Sequence, residues 1–149
     1  MKRITGAVLA VVFVVGLAAF FIIRTAEDRV TADMVSRAGR FGIPADWKLA
    51  QEIVRPERFM CISTNPCPSL YRRWEAGREL TDQDVLAVAS GLRGPMTSDH
   101  PCKRPPNVSG TITICASRGT DGEYNYHLTV TSPGLQEPQL VTLIIRPVQ

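Results

Sequence analysis

From Ile4 to Ile23 the chain runs twenty residues without a charge, with Lys2 and Arg3 before it and Arg24 after it. At about 1.5 Å of rise per residue, such a run spans roughly 30 Å as a helix, the thickness of a bilayer's hydrocarbon core. Thirteen of the twenty residues are Val, Ile, Leu or Phe. At roughly −0.3 to −0.6 kcal/mol each near the bilayer centre, they favour insertion by several kcal/mol. Thr5, Gly6, Gly16 and the alanines are tolerable in a spanning helix. A cleaved secretory signal has a shorter apolar region of about 7–15 residues, followed by a small-x-small cleavage site. Gly16-Leu17-Ala18 has that form, but Phe20-Phe21-Ile22-Ile23 carries the apolar run past it. The first cysteine is Cys61, too far on for a lipoprotein anchor. The run therefore predicts a retained single-pass anchor whose partner is the lipid bilayer.

Charge alone leaves the orientation open. Lys2 and Arg3 favour a cytoplasmic N-terminus, while Arg24, Arg29, Arg37 and Arg40 lie on the other side. All four cysteines follow the anchor, and disulfides persist in oxidising compartments. The expected order is a cytoplasmic tail at 1–3, an anchor at 4–23, a stalk at 24–43 and an extracytoplasmic domain at 44–149.

The net charge of +3 looks at first like a nucleic-acid binder. Without Lys2 and Arg3 the chain has 15 basic residues (17 less 2) against 14 acidic ones, a net of +1. These charges are interspersed, with no run or stripe, so no nucleic-acid partner is expected. The outer segment is long enough for one domain with a real core, which disulfides would help to hold.

Thr25 to Arg40 reads as a polar helix with Val30, Met34 and Ala38 four residues apart, capped by Thr25 or Thr31 and ended by Gly39. Gly42-Ile43-Pro44 breaks it. Trp47 to Arg55 alternates, with Trp47, Leu49, Gln51, Ile53 and Arg55 on one side, which favours a strand; helix competes because Lys48 to Glu52 are good helix formers. Leu70 to Trp74 reads as a second strand antiparallel to it. Thr81-Asp82-Gln83-Asp84 resembles a capping box, and Val85, Leu86, Val88, Ala89 and Leu92 make one apolar helical face over 82–92. Gly91 and Gly94 end that helix, and Pro95 confirms the stop. Met96 to Gly110 reads as a Pro-rich loop.

Three strands follow. Thr111 to Ser117 has Ile112, Ile114 and Ala116 on one face, and Gly119 to Gly122 signals a hairpin. Glu123 to Thr131 alternates cleanly, with Tyr124, Tyr126, Leu128 and Val130 on one side and His127 on the other, toward solvent. Leu140 to Arg146 is continuously apolar enough for an interior strand. The whole predicts an α+β domain of two layers, an antiparallel sheet of about five strands covered by one helix.

Four cysteines allow three pairings. Five residues separate Cys61 from Cys67 and twelve separate Cys102 from Cys115, and these local pairings are the favoured ones. In the chain-entropy account they are worth about 2 and 3 kcal/mol, and a crossed pairing about 1 kcal/mol more. Neither pair has zinc-finger or C-x-x-C spacing, so no cofactor, metal or thioredoxin-like role is expected. His100 beside Cys102 is a weak soft-metal signal, which Pro101 and the expected disulfide oppose. Ser98-Asp99-His100 are adjacent in a loop, poor geometry for a triad, and there is no G-x-S-x-G elbow. Asn107-Val108-Ser109 is a glycosylation sequon, meaningful in a eukaryotic secretory host. Trp47 and Trp74 are expected in the core. The loop carrying His100, Lys103 and Arg104 is the expected partner-binding segment.

The segment from Pro44-Ala45-Asp46-Trp47 to Phe59-Met60-Cys61, with Cys67-Pro68-Ser69 and Trp74, resembles small uncharacterised membrane-anchored proteins of actinobacteria. No activity comes with that resemblance. In architecture the chain also resembles type IV pilins and pseudopilins. Those proteins have an aromatic residue after the cleaved Gly and a Glu five positions into the mature chain. Here Ala7 follows Gly6, and Val11 stands in place of the Glu. The expected function is a single-pass, membrane-anchored, extracytoplasmic binding or accessory module with an envelope protein as partner. The alternatives are an envelope enzyme using the His100 loop and a pilin-like assembly subunit.

Overall fold

The computed structural model describes residues 2–58, 67–92, 94–134 and 137–148, with side chains from residue 11 onward. Helix α1 runs unbroken from Lys2 to Ala38. Strands β1 (Lys48–Arg55) and β2 (Ser69–Ala76) follow, then helix α2 (Asp82–Val88), which a 3₁₀ turn (Ala89–Gly91) extends. Strands β3 (Met96–Ser98), β4 (Ile112–Thr120), β5 (Tyr124–Ser132) and β6 (Gln139–Pro147) complete the chain. They form one sheet in the order β1-β2-β6-β5-β4-β3, with every neighbouring pair antiparallel.

The α+β class with its antiparallel sheet is as expected, and the strand number is corrected from about five to six among the described residues. The added strand, β3, lies inside the expected Pro-rich loop and pairs with Ser117, Arg118 and Gly119 of β4. Three residues between prolines carry no alternation to read, so only the partner strand reveals them. Residues 48–55 are strand, not helix.

The period of two in β5 decides the layering. Tyr124, Tyr126, Leu128 and Val130 are all buried. Leu128 lies beside Leu143 of β6, which lies beside Arg72 of β2, and the next rung joins Val130, Val141 and Trp74. Strand β6 is central, as its apolar run required. Burial of each large apolar side chain here contributes about 1.5–3 kcal/mol.

The sequence alternation fails in two strands. A bulge between Leu49 and Gln51 moves Leu49 to the rung of Trp74 while Ile53 stays on that of Tyr71, so the five residues expected on one face of β1 are split. A second bulge between Thr113 and Cys115 leaves Ile114, Cys115, Ala116 and Ser117 all buried. A bulge inserts one residue and so inverts the facing of everything beyond it.

Helix α2 has the expected capping box: Thr81 accepts from the Asp84 N–H, and Asp84 accepts from the Thr81 N–H at 2.8 Å. Arg78 adds a bidentate pair, holding the Asp84 carboxyl well below its usual range. Val85, Val88 and Ala89 are buried, but Leu86 is exposed and leaves the expected face. At Gly91 any Cβ would collide with the Arg40 carbonyl, so the α2 turn and the end of α1 pack at a distance only glycine permits.

The expected stalk is part of the domain. Met34 and Ala38 are core residues, and Phe41 lies 5.9 Å, centroid to centroid, from the Tyr126 ring. Thr25 and Thr31 cap nothing: each hydroxyl donates to the carbonyl four residues earlier, inside the continuous helix. Arg37 ties the helix to the β4–β5 hairpin. Its guanidinium pairs with Asp33, Asp121 and Glu123 and sits 4.5 Å over the Tyr124 ring. Burial opposes the charge on Arg37, yet hydrogen bonding with Tyr126 and Asp33 and the charge of Asp121 win and raise its pKa. Burial works against the Asp121 carboxylate too. The Tyr126 hydroxyl (2.6 Å), backbone N–H groups of the turn and Arg37 override it and bring it down to about 2.

No helix among the described residues is long and apolar enough to cross a membrane. The side chains of α1 are described from Val11, and Val11 to Ile23 makes only about 20 Å of helix. Along that stretch Val11, Phe13, Phe20, Phe21 and Ile22 are all more than half exposed.

Candidate functional site: a cationic pocket on the open face of the sheet

Helices α1 and α2 cover one face of the sheet. The other face is open. On it the strand register lines up Ile53, Tyr71, Ile144, His127, Arg118 and Thr97, one residue from each strand. Beside it Arg55 pairs with Ser69, and Asn125 pairs with Arg146 on one side and Thr120 on the other. At the β5–β6 side of these rungs lies a pocket of about 680 Å³, lined by Arg118, Asn125, His127, Ile144 and Arg146, with Glu57 at its rim.

The pocket is lined, among the described residues, by two guanidinium groups, an imidazole and an amide against one carboxylate, Glu57, with Cys67, Pro68 and Ile144 beside them. Among the described residues neither Arg118 nor Arg146 makes an ion pair. His127 is half-buried between them, and its Nε2 is buried without a hydrogen-bond partner. Burial, then the charges of Arg118 and Arg146, hold the imidazole below its ordinary pKa, with Asp99 opposing. A buried polar atom without a partner costs about 1–3 kcal/mol. Two guanidinium groups, an imidazole and the Asn125 amide are the groups that bind oxyanions.

The residues singled out by sequence lie elsewhere. Cys102 and Cys115 are disulfide-bonded, with Cα atoms 4.8 Å apart, and tie the loop after β3 to β4. Cys67 is also in a disulfide. The expected Cys61–Cys67 pairing falls on Cys61, outside the described residues. His100 is exposed, with Nδ1 2.7 Å from an Asp99 carboxylate oxygen. That carboxylate also accepts the Ala116 N–H at 2.9 Å, which lowers its pKa. The Ser98 hydroxyl donates to the His100 carbonyl at 3.0 Å, so serine and imidazole do not form a nucleophile–base pair.

Lys103 is exposed. Arg104 donates to Ser132 Oγ (2.7 Å) and to the carbonyls of Ser132 (3.2 Å), Val108 (2.7 Å) and Gly110 (2.8 Å). Its guanidinium thus holds the loop in shape. Lys103 and Arg104 share a hollow of about 540 Å³ with Glu79 and Asp82, and His100 does not line it. Among the described residues no group of three or more His, Cys, Asp or Glu is placed to hold a metal ion.

Sequence reasoning placed His127 toward solvent and did not reach the pocket. One signal was there: Asn125 and His127 are on the same side of β5. The arginines come from β4 and β6, and only the register brings them together. Comparison with protein-family models, curated proteins and solved structures finds no match for the chain.

Proposed function

We propose that the chain is a single-pass, membrane-anchored, extracytoplasmic module that binds a ligand through the open face of its sheet and does no chemistry on it. The observation that carries this reading is the continuity of α1. One helix contains the twenty-residue uncharged run at its start and two core residues of the domain, Met34 and Ala38, near its end. The described side chains of that run, from Val11 to Ile23, are exposed, and such apolar surface needs another apolar phase around it, for which lipid is the candidate. The buried disulfide supports an oxidising compartment and so a domain outside the cytoplasm. The pocket supports binding: Arg118, His127, Arg146 and Asn125 outnumber its one carboxylate, Glu57, and the Ser98 hydroxyl is committed to the His100 carbonyl.

The test is fractionation of native membranes with topology mapping. The chain is expected to stay in the pellet through high salt and alkaline carbonate, with its domain open to protease added from the outside. Recovery in the soluble fraction, or protection of the domain, overturns the reading.

A pilin-like subunit is the second reading, favoured by an apolar helix that leads directly into a strand-rich domain with a disulfide. Val11 argues against it. Isolation of the chain as a filament cleaved after Gly6 would establish it.

A further inference from the structure

Arg55, Arg73, Arg118 and Arg146 are scattered along the sequence, and the strand register brings all four to the open face. Of the four, Arg118 and Arg146 line the pocket, which is not symmetrically placed. Its rim residue Glu57 donates its N–H to Thr31 of α1 at 3.1 Å, and the neighbouring Arg58 reaches Glu27 at 3.4 Å. Thr31 lies eight residues beyond Ile23, or about 12 Å along the helix axis. The polar headgroup layer on each side of a bilayer is about 5–8 Å thick. The pocket rim therefore stands at the end of the domain nearest the apolar run, about 4–7 Å beyond the headgroup layer for an upright helix and closer for a tilted one.

We propose that the Arg118–His127–Arg146 pocket binds the phosphate of an anionic membrane lipid headgroup. The inference rests on the anchored reading above for the source of the phosphate, not for the chemistry of the site. Arginine engages phosphate through parallel charge-assisted hydrogen bonds, and neither guanidinium here is committed to a carboxylate. The His127 ring lines the pocket with its Nε2 buried and unpartnered, and a rotation of the ring toward the pocket lets it donate to a phosphate oxygen. Phosphate between the two arginines offsets the repulsion that disfavours the imidazolium, so binding takes up a proton. The charged groups that set this balance are Arg118 on β4, Arg146 on β6, Asp99 after β3 and Glu57 at the rim. Affinity is then higher on the acid side of neutrality than on the alkaline side.

The experiment uses the full chain in phosphate-free maltoside micelles, with the His127 imidazole followed by NMR. Short-chain phosphatidylglycerol is added in one arm and inorganic phosphate in the other. The expected result is a saturable shift of His127 and a rise in its pKa with the lipid, at a concentration about tenfold below that of inorganic phosphate. Arg118→Gln with Arg146→Gln is expected to lose the response, while Lys103→Gln, in the other hollow, keeps it. Should the double variant fail to fold, Asn125→Asp serves, since a carboxylate at the exposed edge of the pocket repels phosphate. A response to inorganic phosphate that equals or exceeds the response to lipid overturns the lipid source. No response to either, or an unchanged response in the pocket variants, overturns the site. Carbonate extraction tests the anchor separately, because the micelle titration does not depend on the chain having come from a membrane.

Discussion

The two faces of the sheet have opposite economies. The covered face carries Leu70, Trp74, Val141, Leu143, Ile145, Tyr126, Leu128 and Val130, all buried under α1 and α2. Its charged groups are matched: Arg37 with three carboxylates, and Asp121 with Arg37, Tyr126 and the turn backbone, while Ser117 Oγ and Trp47 Nε1 are buried there without partners. The open face alternates threonines and half-buried apolar residues with arginines, and there a buried imidazole nitrogen has no partner. Folding stability comes from the first face. The second leaves the His127 Nε2 and the Arg73 Nε without partners, at some cost to stability, and its Arg118 and Arg146 face solvent and not carboxylates.

The comparison breaks first at Arg37. Arg37→Leu is expected to lower stability by about 3–5 kcal/mol, since it leaves the Asp121 carboxylate, 4% exposed, without its cation. Denaturant unfolding of the full chain in micelles measures it, and a loss below about 1 kcal/mol would show that water satisfies Asp121. Leu128→Ala is expected to cost about 2–5 kcal/mol, against less than about 0.5 for Thr129→Ala, its neighbour on the open face. Equal losses at the two positions would mean that the open face is also packed against something.

How far was this contrast legible in the sequence? The covered face was, because Tyr124 to Val130 and Leu140 to Arg146 declare their period and their burial directly. Helix α2 was, through Thr81 and Asp84. The helix entering the core at Met34 and Ala38 was visible as spacing but not as packing, since a thin apolar face does not say what will cover it. The bulges in β1 and β4 were not legible, because an inserted residue looks like any other until its partner strand is known. The pocket was hidden for the same reason. Its residues are separated in the chain and meet only through the pairing of Arg118 with His127 and of Asn125 with Arg146. The loop of His100, Lys103 and Arg104 stood out by composition, and composition did not disclose that Arg104 is occupied by four oxygen acceptors.

The disulfide gives an intermediate effect. Cys102→Ser with Cys115→Ser is expected to cost about 3 kcal/mol in the chain-entropy account, less any residual structure in the unfolded loop. Acid separates the faces further. Asp121 has its pKa lowered to about 2 by the fold, so its contribution is complete above the unfolded value of about 4 and is lost as pH falls through 2. Asp121→Asn should flatten the stability profile over that window, and an unchanged profile would assign the acid sensitivity to other carboxylates.

The smallest effect is the most specific to the open face. The fold lowers the pKa of His127, so the folded chain binds fewer protons there than the unfolded chain does once pH drops below about 6.5. Its contribution to stability is therefore complete above that pH and declines below it, toward the depressed folded value. Two causes can be separated. Burial acts whatever the neighbours are, while the guanidinium groups act through their charge. Arg118→Gln removes one charge and leaves the strand pairing intact, so it should raise the His127 pKa and change stability by less than about 0.5 kcal/mol. NMR titration of the imidazole reads the first quantity and unfolding the second. A pKa that does not move in Arg118→Gln would mean that solvent screens the guanidinium from the ring. Arg118 would then be a surface arginine like any other, and the open face would have lost the convergence that distinguishes it from the covered one.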